Sequence, residues 1–269
     1  MIPRFKLPSR RVSRSLVLSR IAVLALAAAS VVGQRSAKAD DPPAAGNGSS
    51  ATVEKASDPQ EDYQKERDSQ NRLKQLALAM HNYHDVRGHF PPAVVIGPDG
   101  KTPHSWRVEL LPFLDEKHLY DQYRMQEPWD SPHNKLVLRQ MPDVLRSPFN
   151  DEKSTSSGYF ALVGKGTIFE GKEGIKIQDV TDGTSKTLMI VEAKRDIPWT
   201  KPADIPFDPD KSVPEIGGFV KGHFTAACAD GACCVFPFDG FKDNQLKWAM
   251  MRNDGHPFEL PVVRTRGPD

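Results

Sequence analysis

The sequence predicts an α+β protein. Three observations carry this. One long helical pattern opens the foldable region. A series of short strand candidates follows, punctuated by Gly, Pro and Asp turns. Neither an internal repeat nor an alternating strand–helix rhythm appears along the 269 residues.

The helix begins with Asp58 as N-cap, Pro59 at the first helical position and Glu61 three residues after the cap. Its first twelve residues are polar nearly all round. From Leu73 the pattern changes: Leu73, Leu76, Ala77, Met80 and then Tyr83 or His84 recur at helical spacing and form one apolar stripe. Gly88 suits the left-handed position that ends a helix, and Pro91-Pro92 block continuation. The spacing therefore predicts a solvated front half and a docked rear half. Beyond it, Ala93–Ile96 and Ser105–Leu110 flank a Pro98-Asp99-Gly100 turn and read as a hairpin. Phe113–Tyr123 reads as a short helix, and Ser131-Pro132 starts another that runs to Gln140. Tyr159–Val163, Ile175–Ile177 and Thr187–Glu192 are strand candidates. Phe219–Ala229 and Ala232–Phe236 flank Asp230-Gly231, the strongest hairpin signal in the chain. Gln245–Met251 is a last short helix or strand.

Charge separates the chain into unlike parts. Residues 1–39 hold eight basic side chains and no acidic one, leaving 28 basic against 35 acidic groups in the remainder, a charge of −7. The basic segment precedes an apolar run, Ile21–Val32, and small residues Ala37 and Ala39. This reads as an export signal over residues 1–39, with an uncleaved anchor as the alternative. Twelve apolar residues are too few to cross about 30 Å of hydrocarbon, so contact with the membrane is expected only through the leader, transiently unless it is retained. Residues 40–57 contain no aromatic residue and one large aliphatic, Val53, and read as a disordered linker. The folded domain is expected over 58–262, with a tail at 263–269. An acidic domain excludes nucleic acid as the expected partner, because that binding rests on cationic contacts to phosphate.

Candidate sites are few. His81, Asn82, Tyr83, His84 and Asp85 with His89 form the densest histidine group, but no Glu or Cys stands at ligand spacing, so a helix–sheet seam with His81 solvated is favoured over a metal site. Cys228, Cys233 and Cys234 lie within seven residues. If Asp230-Gly231 is a two-residue turn, Cys228 faces Cys233 and the pair suits a disulfide that leaves Cys234 free; the alternative is three small buried hydrophobes. Trp106, Trp129 and Trp199 sit beside turns. Such aromatics either plug a loop-rich core, the favoured reading, or form a glycan- or peptide-binding face. Asp204, Asp208 and Asp210 read as a solvated turn rather than a calcium loop. There is no P-loop, no nucleophile elbow and no ordered triad, so no enzyme and no cofactor are expected.

Several motifs in order are distinctive. Asn71–Asp85 (NRLKQLALAMHNYHD), followed by Gly88-His89-Phe90-Pro91-Pro92, resembles the signature of a planctomycete domain-of-unknown-function family, number 1559, associated with pilin-like proteins. The likeness continues at Ser105-Trp106-Arg107-Val108, at Pro128–Asn134, at Asp179–Ser185 and at Ala229-Asp230-Gly231. It implies a pilin-like shape, with the N-terminal helix packed on a mostly antiparallel sheet and long Pro-rich loops. The family's closing His-x9-Asp-Gly motif places its histidine at Val220, and His223 stands three positions late. A prepilin leader, usual in the family, is replaced here by the signal-type segment. The expected role is therefore that of a non-enzymatic exported protein, periplasmic or at the cell surface. It would serve envelope structure or assembly, with envelope or surface proteins as partners; the alternative is an exported glycan- or peptide-binding module.

Overall fold

The computed structural model describes residues 58–256 and 258–261. The expected export signal, linker and tail all lie outside the described residues.

Helix α1, Pro59–Arg87, starts and stops where its caps predict. The Asp58 carboxylate accepts the Gln60 backbone N–H at 2.9 Å, and Gly88 at φ +80° donates its N–H to His84 O at 2.7 Å. Burial begins earlier than the apolar stripe: Glu66 and Ser69 are already buried, ahead of Leu73, Leu76, Ala77, Ala79, Met80 and Tyr83. The front half is thus solvated only as far as Lys65, because two polar residues there find partners in the sheet.

Strands β1 (Val94–Ile96) and β2 (Pro103–Ser105) form the small hairpin. The expected strand Ser105–Leu110 ends at Ser105. The Ser105 hydroxyl caps a single helical turn, α2 (Trp106–Glu109), by accepting the Arg107 N–H. Helices α3 (Lys117–Gln122) and α4 (Asn134–Leu138) follow; α4 is shorter than the expected Pro132–Gln140 and its N-cap is His133, while the Ser131 hydroxyl accepts the Asn134 N–H at 3.1 Å from the turn before it.

The main sheet comprises β3 (Tyr159–Val163), β4 (Leu188–Glu192), β5 (Ile205–Pro206), β6 (His223–Cys228) and β7 (Cys233–Pro237), in the order β5-β3-β4-β6-β7. Among these five strands the β3–β5 pairing is parallel and the other three are antiparallel, so the α+β class stands and the sheet is mostly antiparallel. The expected strand Ile175–Ile177 is absent; Ile177–Asp179 is a 3-10 turn held by the Asp179 carboxylate on the Lys176 N–H. Helix α5 (Gln245–Met250) closes the fold.

Period-2 alternation builds a core on each face of the sheet. Tyr159, Ala161 and Ala227 join the stripe of α1, whereas Phe160, Leu162, Phe224, Ala226 and Phe236 pack with Leu246, Ala249 and Met250 of α5. Strand β4 is buried along its whole length, which explains its unbroken apolar run LMIV.

The hairpin register differs from the expected one. Cys228 N–H donates to Ala232 O at 2.8 Å and Gly231 N–H to Cys228 O at 2.9 Å, with Gly231 at φ +87°. The loop therefore holds three residues, a turn closed by a left-handed glycine bulge. One extra loop residue slides the partner strand by one. Cys233 lies opposite Ala227 on the α1 face, while Cys228 packs on the α5 face. No Cys228–Cys233 disulfide forms, and all three cysteines are free thiols.

Candidate functional site

The motif residues of α1 meet the sheet in a seam. Tyr83 is buried edge-on to Phe113, with ring centroids 5.6 Å apart. His84 Nε2 accepts the Ile177 N–H at 3.1 Å, which fixes that nitrogen as unprotonated. Partial burial lowers the His84 pKa further, against the raising pull of Asp85. His81 is not simply solvated. It lies edge-on to Phe90, its Nε2 is buried without a hydrogen-bond partner, and a Cβ on Gly231 would come within 3.7 Å of that atom. A side chain at the hairpin glycine would therefore touch the helix histidine. Asn82 and Asp85 face outward.

Forward of this seam, Glu192 at the end of β4 is 4% exposed. Ser147 Oγ–H donates to it at 2.7 Å, and the hydroxyls of Ser69 and Thr225 also stabilise its charge. Burial outweighs these donors, and the nearby Glu66 adds to the effect; the carboxyl is pushed up to about 7. Glu66 itself contacts His223 Nε2 at the start of β6, and Ser69 Oγ lies 3.1 Å from the Tyr159 hydroxyl. These are the partners that bury Glu66 and Ser69 of α1. Among the described residues no group of three His, Cys, Asp or Glu side chains is placed to hold a metal ion.

A cleft opens where the same strands leave the sheet. Strand β4 runs on through Ala193, Lys194 and Arg195, and β6 is entered through Lys221 and Gly222. The segment 214–218 crosses between them, held by Lys194 N–H to Gly217 O at 2.8 Å and Gly217 N–H to Glu192 O at 2.9 Å. The cleft encloses about 550 Å³. Nothing in the sequence singles it out, because its walls are strand exits separated by some twenty residues.

Two of the three tryptophans take the core role. Trp106 and Trp199 are fully buried, donating their indole N–H groups to Asp204 and to Leu138 O, so neither contributes to a binding face. Trp129 is half-buried, with the Lys201 ammonium 5.9 Å from its ring centroid. Asp204 is likewise no solvated turn residue. It forms a 2.7 Å ion pair with Arg107 in which both side chains are out of solvent, and it also accepts the Ala161 N–H. Arg107 spends its remaining donors on Tyr159 O, Ser157 and Ser105. Asp208 instead pairs with Lys211.

Helix, seam and buried polar cluster together define an α+β protein whose long first helix is locked to one face of a mostly antiparallel sheet. Residues 66–166 match the model of a family described as a protein of unknown function (DUF1559), so the chain is similar to that family over less than half of its length. The matched stretch includes His81–Asp85 and ends before β4. No curated protein and no solved structure matches the chain.

Proposed function

We propose that this protein is a non-enzymatic exported protein with a structural or assembly role in the cell envelope or at the cell surface. One observation carries the reading: the motif side chains Tyr83 and His84 hold the rear of α1 to the segments packed around it, Tyr83 edge-on to Phe113 and His84 accepting the Ile177 N–H. A helix of 29 residues, about 44 Å long, docked by its rear and free over its first turns, is a pilin-like arrangement suited to joining a tether to a globular head. The basic, then apolar, leader expected over residues 1–39 supports delivery to the membrane. Among the described residues no helix is long and apolar enough to cross a membrane. The partners are envelope or surface proteins; no cofactor takes part. The test is cell fractionation with the chain expressed behind its own leader. Recovery in the envelope or periplasmic fraction, with cross-links to surface proteins, is expected. Recovery only in the cytosol overturns the reading.

A further inference from the structure

We infer that the cleft between the β4 exit and the β6 entrance binds a small organic anion: one ionised oxyanion group, phosphate, sulfate or carboxylate, on an apolar body. The inference is independent of the envelope role.

Charge is the first ground. Lys194, Arg195 and Lys221 converge on the cleft against a single carboxylate, Glu215. Among the described residues none of the three cations is held in an ion pair. Like charges gathered without a counter-charge repel one another, and an anion between them removes that cost.

The second ground is Arg195. Its Nη2 donates to Glu215 O at 2.5 Å, which fixes the guanidinium plane against the cleft wall. Its Nε is buried and has no partner. A guanidinium held in place on the cleft lining is suited to an oxyanion, because its N–H groups match carboxylate and phosphate oxygens. Gly218 also lines the cleft, at φ +90°, where only glycine is unstrained.

The third ground is an aromatic in the lining. Phe238 lines the cleft and keeps 37% of its surface exposed while its ring packs on Phe224, centroids 5.0 Å apart. An exposed aromatic in a cleft lined by cations fits a ligand with an apolar body and a charged end. The volume, about 550 Å³, is that of a small-molecule site. A polyanion such as nucleic acid is disfavoured, because beyond residue 39 the chain carries −7 and repels a ligand that extends past the cleft.

The experiment titrates the full chain with phenyl phosphate, benzoate and inorganic phosphate by calorimetry, with phenol as the neutral control and a DNA oligonucleotide as the polyanion. Phenyl phosphate or benzoate should bind better than inorganic phosphate, more weakly as salt is raised, and phenol should not bind. Arg195→Ala should weaken binding by about tenfold or more, and Glu215→Gln should tighten it. Lys221→Ala, an exposed truncation, serves as the second variant if Arg195→Ala fails to fold. The inference is overturned if no small anion binds at millimolar concentration. Equal affinity in wild type and both cation variants, or tighter binding of the oligonucleotide than of phenyl phosphate, overturns it equally.

Discussion

Gly231 has two reasons to be glycine. Its φ of +87° strains any L side chain, and a branched side chain added there presses on the buried His81 Nε2. Gly231→Val should destabilise by about 1–3 kcal/mol, read as a lower urea midpoint with unchanged slope. Asp204 and Arg107 form the costliest pair to break. Removing one partner strands a charge in the core, so Asp204→Ala should cost about 3–5 kcal/mol, visible in thermal or urea unfolding. Neither partner was legible as such: they stand 97 positions apart, and Asp204 sits in a proline-rich stretch that resembles a surface turn. Arg107, set between Trp106 and Val108 in a run whose one other charge is Glu109, was the available sign that a buried counter-charge had to exist.

At the scale of elements, local chemistry was legible and pairing was not. Asp58-Pro59 and Gly88 bound α1 because capping acts within a turn, and Tyr159–Val163 follows from its own apolar run. The Asp230-Gly231 hairpin was equally legible as a hairpin, but the same dipeptide serves two- and three-residue loops, and one residue of difference exchanges the faces of the partner strand. The thiols test that register. Denatured, non-reducing titration should give three thiols; a count of one would restore the two-residue turn. In the native state reaction should be slow, since burial pushes the Cys233 thiol up to about 12 and raises Cys228 and Cys234 as well. Strand β5 escaped notice because two residues, one a proline, carry no period.

For the whole molecule, Glu192 sets a pH dependence. Its folded pKa of about 7 lies above that of an unfolded glutamate, so the folded state binds its proton more tightly. The associated stability is present below the unfolded carboxylate range and is lost as pH rises through about 7, a decline on the order of 3 kcal/mol. His84 and His104, both lowered by burial, slope the other way, losing stability as pH falls through the unfolded histidine range near 6.5. The difference between wild type and Glu192→Gln isolates the carboxyl: the gap in unfolding free energy should shift in favour of the variant between about pH 5 and about pH 8. A gap independent of pH would mean that Glu192 stays ionised throughout. The cleft and this cluster were beyond sequence reading for one reason, that both are assembled where β4 and β6 run side by side, from residues far apart in the chain.

The sheet is also blunt at both rims. Strand β5 offers only Ile205–Pro206, and β7 ends in Pro237, so proline removes an amide donor at each margin. Another chain seeking to add a strand finds too few hydrogen bonds to register on. Growth of a larger assembly by β-augmentation on this sheet is thereby disfavoured. Whatever this protein joins must be gripped through its helix or its loops.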